Sequence, residues 1–134
     1  MYLNFIENHC SSVDFVFKGD DDVLLNPKII SAAINRHLEM NVTTSCPFTW
    51  GCKMQGKANR NPKSKYFTPE IIWEPDHIPD YFSGACYIVS GKLAVAMARI
   101  QRDVPIFPLD DVYIGILLHR LNRSSCIFSG KFCD

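Results

Sequence analysis

The sequence predicts one α/β domain, and three observations carry that expectation. The runs "VDFVFK" (13–18) and "ACYIVS" (85–90) are rich in β-branched and aromatic residues, as buried strands are. The runs "PKIISAAINRHL" (27–38) and "DDVYIGILLHRL" (110–121) repeat apolar residues at helical spacing. The two kinds of run occur through 134 residues with no repeat, low-complexity segment or linker between them. A chain of that length can bury a core, and 47% hydrophobic with 21% charged residues is an ordinary globular composition.

In chain order, the first strand ends at Gly19 and the aspartates 20–22 form the turn after it. Asn26 is a capping residue, and Pro27 fits a first helical turn where its missing N–H is not needed. Ile29, Ile30, Ala33 and Ile34 then share one helix face. "PFTWGCKMQ" (47–55) reads as a strand. Gly56 to Pro79 reads as loop, broken by Pro62, Pro69, Pro75 and Pro79, and the basic stretch 53–65 as solvated. After the strand at 85–90, Ser90 is placed to cap a helix through "GKLAVAMARIQ", which Pro105 and Pro108 bring to an end. Asp110-Asp111 open the last helix, where acidic residues suit the macrodipole.

Charge and cysteine content bound the partners and the compartment. Fourteen Lys and Arg balance fourteen Asp and Glu, so the chain has no basic field for nucleic acid. No stretch approaches the ~20 apolar residues that span a bilayer, and the first residues lack the pattern of a signal peptide. Six cysteines with no zinc-type spacing favour disulfides, with the pairing open. Two sequons, Asn41-Val42-Thr43 and Asn122-Arg123-Ser124, point the same way, to a secretory lumen with Asn41 and Asn122 as glycan acceptors.

The stretch with a chemical question attached is "GDDDVLL" (19–25). Three adjacent carboxylates repel one another beside an apolar run, which costs stability unless the turn is solvated or a cation sits there. Asp20 and Asp22 form a DxD pair at the carboxyl end of a strand, where open α/β sheets bind ligands. Hard oxygen ligands suit Mg²⁺ or Mn²⁺ held together with phosphate oxygens. The stretch lacks the glycine and glutamate of an EF-hand loop. Asp110-Asp111 offers a carboxylate that is either a helix-start charge or a general base. Ser83-Gly84 is either an ordinary turn or a place where backbone approaches a sugar.

In this order, "FVFKGDDDVLLNP" (15–27), "KSKYF" (63–67), "PDYFSGACYIVS" (79–90) and "DDVYIG" (110–115) resemble the β1,3-glycosyltransferase family, glycosyltransferase family 31. Its members add galactose or N-acetylglucosamine from a UDP-sugar to a glycan hydroxyl. The resemblance implies a partial GT-A fold, a mixed sheet flanked by helices with its N-terminal βα units missing. It implies Mn²⁺, with Mg²⁺ as a substitute, at Asp20 and Asp22, the latter as the direct ligand. Lys18, Asp20, Asp21, Ser83 and Gly84 would then bind substrate, with Asp111 as catalytic base and Asp110 its neighbour. The reaction implied is inverting transfer in protein or lipid glycosylation, by a Golgi type II membrane protein acting on the lumenal side.

The departures from the family pattern shape a second set of expectations. About a dozen residues precede the first strand, so the chain reads as a fragment with Phe15, Phe17 and the Ile29/Ile34 face uncovered and with little activity alone. His119 comes too soon after Asp111 to be the family's downstream metal histidine. Cys86 stands where many members have glycine, and Phe82 and Leu117 where many have cysteine. The competing expectation is a catalytically inactive relative that binds sugar or metal.

Overall fold

A computed structural model of the chain describes residues 2–39 and 46–126. The order is α1 (Tyr2–His9), β1 (Phe15–Gly19), α2 (Pro27–Glu39), β2 (Thr49–Lys57), β3 (His77–Ser90), α3 (Gly91–Ile100) and α4 (Asp110–Arg120). Single 3₁₀ turns follow at Gln101–Asp103 and Ser124–Cys126.

The sheet order is β1-β3-β2, with β3 antiparallel to both neighbours. The expected mixed sheet is therefore corrected: among the described residues both strand pairings of the sheet are antiparallel, and the one parallel contact is an isolated bridge between Asn59 and Phe67 outside it. The reason lies in the topology. β1 and β2 run the same way on either side of α2, but β3 is inserted between them, a split β-α-β arrangement.

β3 also starts earlier than its sequence shows. The expected strand 85–90 is the end of one that begins at His77, so Ser83-Gly84 lies within a strand and is not a turn. Pro79 is tolerated there because β1 pairs only with Cys86–Ser90, which leaves the earlier part of β3 paired to β2 alone. Ser90 stands at the start of α3 but makes no side-chain capping bond; its amide donates to the Phe48 carbonyl instead. At Gly91 a side chain is impossible, since a Cβ would lie 1.8 Å from the Val13 carbonyl oxygen.

The core lies between one face of the sheet and the helices. Val16 pairs with Val89 and Lys18 with Tyr87, and Leu3, Leu93, Met97, Ile114 and Leu118 close over that face. The amphipathic reading of α4 is corrected too: Val112 through Leu118 are all buried. α1 carries no strong start signal, and its fold comes from contact with α3. Leu3 is fully buried, while Glu7 pairs with Arg99 and Arg102. α2 lies outside this core, with no buried residue and Ile29 half exposed. Phe17 also shows solvent, as expected, whereas Phe15 is half-buried and packs edge-on against Phe48.

The hydroxyls of Tyr2 and Tyr87 meet at 2.9 Å under α1. Burial pushes Tyr2 up to about 12 and Tyr87 further still, against about 10 for a free phenol. Both groups are protonated in the fold, so the stability they contribute is complete below about pH 10 and is lost as pH rises through about 12. Alkaline titration is expected to show Tyr2 and Tyr87 ionising last of the five tyrosines, together with loss of the far-UV circular dichroism signal. Ionisation of all five near pH 10 with the fold intact would contradict this packing.

The cysteine expectation holds in part. Cys46 and Cys126 are bonded across a separation of 80 residues, and Cys52 is also disulfide-bonded, whereas Cys10 and Cys86 are thiols. Closing a loop of that length stabilises by about 4 kcal/mol in the chain-entropy account. The Cys46→Ser/Cys126→Ser protein is expected to lose most of its stability, read as a Tm fall of more than about 10 °C for a domain of this size. An unchanged Tm would mean that the bond clips an already rigid segment. Asn122 is exposed just after α4, and Asn41 lies outside the described residues.

Candidate functional site

The triple aspartate leaves the sheet where expected, at the carboxyl end of β1. The Asp20 amide donates to the Ala85 carbonyl, and the Val23 amide closes a turn on the Asp20 carbonyl. Lys18 is the hub of the site. Its ammonium donates to Asp20 Oδ1 at 3.2 Å and to the Gly84 carbonyl, and lies 3.9 Å from Asp110 Oδ2. One side chain thus ties the β1 turn, the middle of β3 and the start of α4 together. Asp21 and Asp22 are exposed on the turn beyond it.

Two glycines set where α4 crosses β3. A Cβ on Gly115 would lie 2.5 Å from Tyr81 Cβ and 2.7 Å from the Asp80 carbonyl oxygen, so helix and strand touch there. One helical turn earlier, a Cβ on Gly84 would have Asp111 Oδ2 as its nearest atom, at 3.5 Å. Asp111 Oδ1 accepts from the Val112 amide at 2.8 Å, so this carboxylate does take up a helix-start N–H while Oδ2 faces Gly84. Gly115→Ala is expected to lower Tm. Overpacking against backbone costs about 1–3 kcal/mol and outweighs the gain of about 1 kcal/mol in helix propensity. A raised Tm in thermal melts would show that α4 has room to move.

Asp20, Ser83, Gly84 and Asp111 line one cavity of about 470 Å³. Lys18, Asp21, Asp22 and Asp110 are not among its lining residues. The rest of the wall was not legible as a site: Tyr66, Thr68 and Tyr81 come from the loop after β2 and from the early part of β3. Burial raises the Tyr81 hydroxyl, and the Asp111 charge adds to that rise. Cys86, opposite Gly19, has its thiol raised by burial first and then by Asp20, with Lys18 acting in the other direction.

The solvated reading of the basic stretch is corrected at Arg60. Its guanidinium donates to the carbonyls of Thr68, Trp73, Glu74 and Pro75 and lies 3.5 Å from an Asp76 oxygen. Lys53, in the same stretch, pairs with Asp80 at 2.7 Å. An Arg in a run of Lys and Asn looks like surface, and its service as a bracket appears only when the loop folds back over it.

Among the described residues, no group of three or more His, Cys, Asp or Glu side chains is arranged to hold a metal ion. The turn meets a smaller demand. A cation bound with nucleotide phosphates takes one or two carboxylates from the protein, and Asp20 and Asp22 are exposed hard-oxygen donors in one turn. His119 is not part of this turn and approaches Ser124 Oγ at 3.4 Å.

Comparison with known proteins agrees with the motif reading. A family model described as galactosyltransferase matches residues 1–125. N-acetyllactosaminide beta-1,3-N-acetylglucosaminyltransferase 2 of Homo sapiens is 32% identical over 122 residues, which is 90% of this chain and 30% of that protein. Beta-1,3-galactosyltransferase 5 of Homo sapiens is 31% identical over 122 residues, 91% of this chain and 38% of that protein. UDP-GlcNAc:betaGal beta-1,3-N-acetylglucosaminyltransferase 7 of Rattus norvegicus is 29% identical over 121 residues, 90% of this chain and 29% of that protein. The chain thus spans roughly a third of the length of these relatives. With the family model matching residues 1–125, nearly all the described residues, the chain belongs to the galactosyltransferase family.

Proposed function

We propose that these residues carry the donor-metal turn and the catalytic base of a β1,3-hexosyltransferase of GT-A type. It moves galactose or N-acetylglucosamine from a UDP-sugar to a glycan hydroxyl, with inversion. The observation that supports this best is that Asp20 and Asp111, far apart in sequence, line one cavity with Ser83 and Gly84 between them. Asp111 Oδ2 accepts the acceptor hydroxyl's proton as that oxygen bonds to the anomeric carbon and the bond to UDP breaks on the opposite face. Asp20 and Asp22 would hold Mn²⁺ or Mg²⁺, which when bound offsets the charge of the departing diphosphate. Lys18 keeps the Asp20 turn and the Asp110 end of α4 at fixed separation across Gly84. Ser83, which lines the cavity, and Asp21, on the turn beside it, would hydrogen-bond the donor. The disulfide favours an oxidising lumen such as the Golgi. Among the described residues no helix is long and apolar enough to cross a membrane.

The test is a chimera in which these residues replace the matched segment of a curated relative, assayed for sugar transfer from UDP-galactose and UDP-N-acetylglucosamine with Mn²⁺. Transfer above background supports the proposal. A chimera that melts like its parent and transfers neither sugar overturns it in favour of a non-catalytic binding role.

A further inference from the structure

A second cavity, of about 770 Å³, shares no lining residue with the one that holds Asp20 and Asp111. Its walls include Trp73, His77, Asp80, His119, Arg120 and Asn122. The Trp73 ring is held in place: its Nε1–H donates to the His77 carbonyl and its edge meets Phe107. A fixed indole face beside imidazole, guanidinium and carboxylate groups is chemistry that suits a pyranose. The apolar ring face stacks on the aromatic, and the hydroxyl and acetamide groups find hydrogen-bond partners around it.

The chain itself supplies an occupant. Asn122 lines this groove and is the first residue of the sequon Asn122-Arg123-Ser124. It ends α4 with φ of 55°, a left-handed conformation that asparagine tolerates, and it is exposed. Its backbone is fixed there: the Asn122 amide donates to the His119 carbonyl and the Arg123 amide to the Leu118 carbonyl. A few residues on, Cys126 is bonded to Cys46, which marks a compartment where such modification takes place.

We infer that Asn122 carries an N-linked glycan and that its first sugars lie in this groove against Trp73. In the modifying step, Asn122 Nδ2 forms a bond to the anomeric carbon of an N-acetylglucosamine in a lipid-diphosphate oligosaccharide. The bond from that carbon to the diphosphate breaks, the amide proton leaves, and the lipid diphosphate departs with the electron pair. The sugar then covers polar and aromatic surface at the end of α4, and the inference is independent of the transferase reading.

The experiment is secretion of the chain from animal cells as the Asn41→Gln protein, followed by intact mass before and after peptide N-glycosidase. One glycan is expected, lost in both Asn122→Gln and Ser124→Ala and kept in Ser124→Thr. An unmodified mass overturns the site. For the groove, Trp73 fluorescence is read in a Trp50→Phe background and is expected to change when the glycan is removed from the folded protein. Removal under native conditions is expected to be faster in Trp73→Phe than in the parent. Identical emission with identical release rates overturns the groove while leaving the modification in place.

Discussion

Asp22→Asn is expected to bring UDP-sugar-dependent transfer to background in a chimera that transfers, at any Mn²⁺ concentration. The substitution keeps size and removes the charge that would face the cation. Loss of a mere outer partner of a metal ligand already costs about 10–100-fold, so loss of a ligand itself exceeds that. Stability should hardly change, because Asp22 is exposed and surface changes of this kind usually stay within about 0.5 kcal/mol. The measurement is transfer rate against Mn²⁺ concentration, with a thermal melt alongside. A rate like the parent's at saturating Mn²⁺ would remove Asp22 from the metal site.

Asp111→Asn should separate chemistry from binding. Removing a general base costs about 10²–10⁴-fold in rate, so kcat is expected to fall by at least 10²-fold while the affinity for UDP stays near that of the parent. Asn keeps an oxygen that can accept from the Val112 amide, so the start of α4 should hold. The two readings of this residue diverge in calorimetry. If UDP affinity collapses, or if Tm falls steeply while kcat stays high, Asp111 is a binding or capping group and not the base.

The candidate residues were easier to single out in the sequence than the fold around them. Lys18, Asp20 and Asp22 sit within five positions of one another, and Asp110-Asp111 is a contiguous pair, so local motifs were enough to propose them. What no local pattern could give is that Lys18 reaches from one group to the other, which depends on β1 pairing with β3 in register. Tyr66, Tyr81 and Thr68 were missed for the same reason: they meet the aspartates only through tertiary contact. α1 folds because Leu3 and Glu7 find α3, a partner about ninety residues away. The start of β3 was hidden by Pro79, which stops most strands but is harmless where a strand has only one neighbour. α4 looked amphipathic from its charged ends, although seven consecutive residues between them are buried.

The Arg60 bracket has a bearing on how members of such a family can diverge. Its carbonyl partners sit at Thr68, which lines the cavity of Asp20 and Asp111, and at Trp73 and Pro75, which line the groove beside α4. Residues 61–67 therefore hang as a cassette between fixed ends, with Asn59 bridged to Phe67 at its base. Exchange of length or sequence inside that cassette alters the cavity wall at Tyr66 and leaves the sheet, the aspartates and α4 where they are. Selection can thus rewrite what the cavity accepts through one short insert, at no cost to the groups proposed to do the chemistry.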